Sequence, residues 1–418
     1  MKKMLVIILA ILLVFGGFVT WSAQRAPESP AVQPDAEEAA PTPDSAPAAE
    51  SDAVVEEPTA AGEEAAAPAE IRRVDLEALR ALHPADETVM SLGEERVSWG
   101  EFSDLLGATC LDIENYFEQM AAYYGVAADW DGSVGDGSGQ SFAQYAVNET
   151  RDYLASSLAV RALAAEKGVS LDAAELAALE PEALAKELFG EEGTVEQLYD
   201  SLENEGHMSY ETYRMMRETS LLYTKTVELL YGLEGEKISE DEAVAWLEDQ
   251  GFLSAGHILL MTMDPNTGES IDEAAAQAKR ERAGEIAAEL QGIKDREKLL
   301  KRFAELKEAE CEDSGKAAYP DGYTFEPGTM VTEFENAVRG LEDYAVSDPV
   351  QTAYGYHVIM RLPLKADAGL ITLTGDAASA QQSLAQQKIN DDLAAFEAAH
   401  PAEIAESVES FELAPYMK

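Results

Sequence analysis

An α+β chain is predicted, mainly helical, with a small antiparallel sheet set among helices. Three observations predict it. Long stretches between residues 99 and 247 carry apolar residues at helical spacing, with Val147, Leu154 and Leu158 on one face. Two separate segments, Ala255-Gly256-His257-Ile258-Leu259-Leu260 and Tyr356-His357-Val358-Ile359, are rich in β-favouring residues and each places a histidine in a strand. Glu87 to Ser98 reads as two short strands about a glycine turn at Gly93. At 418 residues the chain has room for two or three domains, and its 46% apolar content is that of a globular protein.

From the N-terminus, Met1-Lys2-Lys3 precedes an uncharged run from Met4 to Gln24. Lysines before an apolar stretch form an export signal and also satisfy the positive-inside rule. The run is just long enough to span a bilayer, which favours an uncleaved anchor over residues 1–24. A cut after Ser22 is the alternative, and either outcome exports the remainder. Residues 25–72 are mostly Ala, Pro, Glu and Asp. Such a segment buries too little apolar area to offset its ordering entropy, so a disordered linker is expected.

A folded region is expected from about residue 73 to 252. Ser98 precedes a helix start at Trp99, Gly168 stops a helix, further helices cover about Thr194 to Glu205 and Tyr210 to Gly232, and Ser239-x-x-Glu242 forms a capping box. Asp129-Trp130-Asp131-Gly132-Ser133-Val134-Gly135 interrupts this region. Its acids and glycines suggest a calcium loop, but the twelfth position from Asp129 is Gln140 instead of the bidentate glutamate, so a flexible surface loop is the expectation and no metal is assigned. Asn148-Glu149-Thr150 fits the glycosylation pattern but falls within a helical segment, which reads as coincidence. After residue 364, Ala377 to Ala399 is helical by composition, and Val408 to Leu413 alternates like a strand.

Charge narrows the partners. Lys and Arg total 30 against 80 Asp and Glu, a net charge of −50. Such a surface repels nucleic-acid phosphates and anionic lipid, and attracts cationic unfolded chains over short range. A generically acidic surface suited to its surroundings is an equally open reading. The two cysteines, Cys110 and Cys311, could pair in an exported chain. They fall in different expected domains, and the alternative is one core thiol and one loop thiol.

Two strand histidines, Met330-Val331-Thr332-Glu333-Phe334 between them, and the run Thr352-Ala353-Tyr354-Gly355-Tyr356-His357 together resemble the parvulin family of peptidyl-prolyl isomerases. The resemblance covers residues 253–364. It implies that His257 and His357 form a hydrogen-bonded histidine pair on the floor of the site. Thr352 would support the pair, and Met330 and Phe334 would grip a proline ring. From Phe303 to Val331 the chain aligns without gaps, which places Asp313 at the family's catalytic Cys or Asp position. Cys311 falls two residues earlier and is not the equivalent. The family's Gly-Gly-Asp-Leu turn is replaced here by Tyr319-Pro320-Asp321-Gly322, which puts the loop's path and the activity in question.

The layout also resembles extracytoplasmic foldases. It implies that residues 365–418 return to pack with the 73–252 region, making the isomerase an insertion. The expected activity is isomerisation of X-Pro bonds in exported, unfolded or nascent polypeptides, with no cofactor. The alternative is a non-catalytic holdase with a degenerate parvulin domain. The lipid-modified cysteine of related foldase lipoproteins is missing, so anchoring would rest on the N-terminal helix. The loop from Met263 to Ser270 has no lysine or arginine, which argues against phosphorylated substrates.

Overall fold

The computed structural model describes residues 71–124, 129–135, 137–264, 267–375 and 378–418. The expected anchor over 1–24, and all but the end of the expected linker, lie outside the described residues. No helix among the described residues is long and apolar enough to cross a membrane.

The strands are β1 (Thr88–Leu92), β2 (Glu95–Ser98), β3 (Leu253–Met261), β4 (Tyr323–Phe325), β5 (Val350–Gln351), β6 (Gly355–Arg361), β7 (Leu370–Ile371) and β8 (Glu403–Ile404). They form two sheets, ordered β2-β1-β8 and β5-β6-β3-β4-β7. The chain divides into two compact units. Of the described residues, the first draws on those from 71 to 162, 171–220 and 400–418, and the second on those within 163–170 and 221–399.

In the first unit, β1 and β2 form the expected hairpin, and Gly93 takes φ +63° in its turn. The helix Trp99–Tyr124 follows directly. Ser98 and Glu101 cap its start reciprocally: the Glu101 amide donates to Ser98 Oγ at 3.3 Å, and the Ser98 amide donates to Glu101 Oε2 at 2.7 Å. Trp99 and Phe102 are fully buried, and Phe411 from the chain's tail packs edge-on against both, with ring centroids 5.9 Å apart in each case.

The tail therefore returns to the N-terminal sheet, but in a different register from the one expected. The strand is Glu403–Ile404, pairing with Ser91 and Met90. Val408 sits in a short helix, Glu406–Glu409, where it is buried, so its apolar spacing serves a helical turn and not an alternating strand. The Asp129–Gly135 segment is not free at the surface. Trp130 is fully buried against Phe117, its indole donates to the Arg72 carbonyl at 2.8 Å, and Asp129 and Asp131 both pair with Arg72. Thr150 is buried with its hydroxyl donated to the Ala146 carbonyl, within the helix Phe142–Glu166.

The second unit is built on the five-stranded sheet. Its strands are antiparallel except for β7, which runs parallel to β4 at the edge, so the sheet is mixed and reaches past residue 364. Eight of the nine residues of β3 are buried, because helices cover both faces. The helices Glu273–Gly292 and Arg296–Glu310 pack on one face around Ile258, Leu260, Val358 and Met360. The short helix Thr332–Arg339 packs on the other through Phe334 and Val338.

The expected boundaries at 252 and 364 also shift. The helix Ala380–Ala399 buries Leu384 and Ala385 against Ala243, Leu247 and Phe252, and Lys388 pairs with Glu242 at 2.7 Å. The residues from 221 to 252 and from 365 to 399 thus share a core with each other, and only the last 19 residues return to the first unit. Of the capping box at Ser239 only one half forms, with the Glu242 amide donating to Ser239 Oγ.

Candidate active site

The pairing of β3 with β6 brings the two strand histidines together. His257 lies opposite Ile359, and His357 lies opposite Leu259. Side chains alternate with period two, so both histidines stand on the same sheet face as diagonal neighbours. Their rings meet edge to face, with centroids 5.1 Å apart. The hydrogen bond expected between the two rings does not form. Among the described residues, His357 Nδ1 and His257 Nδ1 make no hydrogen bond, and His257 Nε2 faces Asp313 Oδ2 at 3.3 Å instead of the other ring. Diagonal positions on adjacent strands set the rings side to edge, which does not align an N–H with the other ring's lone pair.

Thr352 stands beside one of the two histidines, His357. Its Oγ1 lies 2.9 Å from His357 Nε2 and also accepts the Tyr354 amide at 3.1 Å. His357 is buried, and desolvation, helped by the neighbouring His257, pushes its pKa down to about 3, with Asp313 opposing the shift. The ring is therefore neutral at pH 7.

Phe334, on the helix Thr332–Arg339, faces both histidines edge-on, with centroids 5.3 Å from His257 and 5.5 Å from His357. It is 3% exposed. Met330, just before that helix, packs half-buried on the same cluster.

Asp313 follows the helix Arg296–Glu310 and caps a short turn, Ser314–Ala317, by accepting the Gly315 amide at 2.9 Å. Its Oδ2 lies 3.3 Å from His257 Nε2 and receives the Tyr323 hydroxyl at 2.5 Å. The His257 imidazole first, then the Tyr323 hydroxyl and the Gly315 amide, hold this carboxyl well below the usual carboxylate range. Cys311 is buried two residues earlier, and its sulfur contacts the backbone of β3 instead of the site face. It is a core thiol, as is buried Cys110, so neither fits the expected loop thiol, and both are free.

All six sequence-predicted site residues thus gather on or beside one sheet face. Residues 257–362 match the rotamase family model described as the PPIC-type PPIASE domain. This agrees with the resemblance read from the histidine segments. The chain is also similar to the foldase protein PrsA of Geobacillus kaustophilus, at 33% identity over 148 residues, 35% of this chain and 42% of that protein. It is similar to the chaperone SurA of Alkalilimnicola ehrlichii, at 33% identity over 132 residues, 28% of this chain and 30% of that protein. The chain spans less than half the length of these curated relatives. The crystal structure of a peptidylprolyl isomerase (PrsA) from Bacillus cereus aligns over 78% of this chain and 96% of that one, at 16% identity and a TM-score of 0.28.

Within the rotamase segment, the Tyr319–Gly322 turn has a defined path. The Gly322 amide donates to the Tyr319 carbonyl at 3.2 Å, Gly322 takes φ +105°, and Lys307 donates to the carbonyls of Tyr319 and Pro320. The turn delivers two residues that the sequence reading did not include. Tyr323 stacks on His257 with rings 5.5 Å apart and 6° from parallel, and Tyr319 lies against Tyr323 at 4.8 Å. The available signal was the pair of tyrosines flanking Gly322 at the head of the β-rich run Tyr323-Thr324-Phe325.

A cavity of about 1070 Å³ opens in the first unit. Tyr199, Leu202, Met208 and Tyr210 line one part of it, and an ion pair between Arg80 and buried Asp104 another.

Proposed function

We propose that this chain is a peptidyl-prolyl cis-trans isomerase and foldase acting on unfolded, exported polypeptides outside the cytoplasm. The observation that carries this reading is the gathering of His257, His357, Thr352, Asp313, Met330 and Phe334 on one sheet face inside a segment that matches the rotamase model. Rotation about an X-Pro bond is opposed by loss of amide resonance, a barrier of roughly 18–20 kcal/mol. A protein lowers it by favouring the twisted amide over the planar one. Phe334 and Met330 supply an apolar surface for the proline ring. The buried, neutral His357 ring on the floor desolvates the amide and weakens the resonance form, which is the more polar one. Asp313, ionised at the rim, acts electrostatically on the amide. The chemistry requires no cofactor.

The expected place of action is the outer face of a membrane, with residues Met4 to Gln24 as the anchor and the following Pro/Ala/Glu-rich stretch as the tether. The purified full chain should accelerate cis-trans isomerisation of a proline peptide. Phe334→Ala should lower kcat/KM by at least about ten-fold, as loss of one aromatic contact implies. A folded wild-type chain that gives no rate above the uncatalysed one would overturn the reading.

A second reading, a holdase without catalysis, is favoured by two observations. Phe334 is already packed against both histidines, and the cavity in the first unit carries apolar side chains suited to unfolded segments. Suppression of client aggregation that survives Phe334→Ala while isomerase activity is absent would select it.

A further inference from the structure

We propose that Tyr323 is a positioning residue of the isomerase site, holding Asp313 and His257 in one fixed arrangement. The inference rests on the isomerase reading above. Its hydroxyl donates to Asp313 Oδ2 at 2.5 Å, and its ring lies parallel on the His257 imidazole at 5.5 Å. One side chain thus touches two polar groups of the site that come from different parts of the segment. His257 belongs to β3, Asp313 to the turn after the helix Arg296–Glu310, and Tyr323 to β4.

The surrounding residues are shaped for this contact. A Cβ at Gly315 would lie 2.3 Å from the Tyr323 hydroxyl, so glycine there is what admits the oxygen to Asp313. The Gly315 amide meanwhile holds the second carboxylate oxygen. Tyr319 backs the Tyr323 ring from the side, and Lys307 fixes the Tyr319 carbonyl. The replacement of the family's glycine-rich turn by Tyr319-Pro320-Asp321-Gly322 thereby brings aromatic support at the turn whose path the sequence left in question.

The contact acts on charge as well as place. Asp313 is faced by His257 from β3, Tyr323 from β4 and the Gly315 amide, with His357 on β6 also within electrostatic reach. Cys311 and Tyr319 lie near Tyr323. A donated hydroxyl favours the ionised carboxylate, so removing it makes the carboxyl easier to protonate. Tyr323 is itself kept neutral, because burial and the adjacent carboxylate push its hydroxyl well above the usual range, so it remains a donor across the working pH range.

The test is the pH profile of kcat/KM for a proline peptide, measured on the full chain as wild type, Tyr323→Phe and Gly315→Ala. Tyr323→Phe keeps the ring and its stack and removes only the hydroxyl. We expect kcat/KM at pH 7 to fall by about ten-fold with KM little changed, and the acid limb to move up by about one pH unit. Gly315→Ala, which leaves the tyrosine in place and displaces its oxygen, should shift the acid limb in the same direction. Carboxyl carbon NMR of Asp313 should show the same upward shift in midpoint in both variants. An active wild type with Tyr323→Phe unchanged in profile and in Asp313 midpoint would overturn this proposal alone. An inactive, folded wild type would overturn the isomerase reading and this proposal with it.

Discussion

Acidification should loosen the rotamase segment well before ordinary carboxylates protonate, and His357 is the reason. Its pKa is about 3 in the folded protein against an ordinary value near 6.5. A histidine whose pKa is lowered by folding binds its proton more readily when unfolded, so stability falls as pH drops below 6.5 and keeps falling until about pH 3. Each pH unit in that window costs about 1.4 kcal/mol, so the loss at pH 5 is about 2 kcal/mol from this ring alone. Asp313 has the opposite charge but the same sense. Its depressed pKa gives stability present above about pH 4 that is lost only below it. The window from pH 6.5 to 4 therefore isolates the histidine.

Because the chain has two units, the assay should be local. Native-state amide exchange at Val358 and Met360, in the strand that carries His357, reports the opening of this sheet. His357→Gln can keep a hydrogen bond to Thr352 and cannot titrate. It should remove most of the pH dependence between 6.5 and 4 while leaving that of other regions intact. An unchanged slope in His357→Gln would refute the argument, as would exchange at these amides that does not vary across the window.

Further outcomes follow from the same geometry. Thr352→Val removes the partner of His357 Nε2 and of the Tyr354 amide, so it should cost about 1–3 kcal/mol by denaturant unfolding of this unit and lower isomerase activity. Gly322→Ala sets a Cβ 2.8 Å from the Ala255 carbonyl oxygen at φ +105°, and should cost at least about 1 kcal/mol and reduce activity by moving Tyr323, read as a lower Tm together with a lower kcat/KM.

Much of this site was legible because its parts obey local rules. Period two places His257 and His357 on one face once their strands pair, and the spacing of Met330 and Phe334 survives as a packed cluster. Ser98 and Glu101 form a reciprocal cap from sequence-local hydrogen bonds. What escaped was set by tertiary contact. No periodicity says that Tyr323 will reach Asp313, because that depends on Gly315 leaving room for it. Eight buried residues in β3 erase the alternation that would have marked its two faces. The tail strand was misplaced because Glu403–Ile404 is a two-residue pairing with too little pattern to see, whereas the stronger apolar pattern of Val408 to Leu413 belongs to a helical turn and the aromatic contact on Trp99.

The return of the tail has a consequence for how the molecule is made. Ser91 pairs with Glu403, roughly 310 positions later, and loop closure over such a span is slow to begin. During synthesis or passage through a membrane pore, the residues from 221 to 399 can complete their own core first, since they are contiguous. The hairpin of β1 and β2 must wait with one edge unpaired and the Trp99 cluster uncovered until the segment from His400 onward emerges. Throughout that interval the chain carries an exposed strand edge and aromatic surface of the kind that aggregates, until the returning tail covers both.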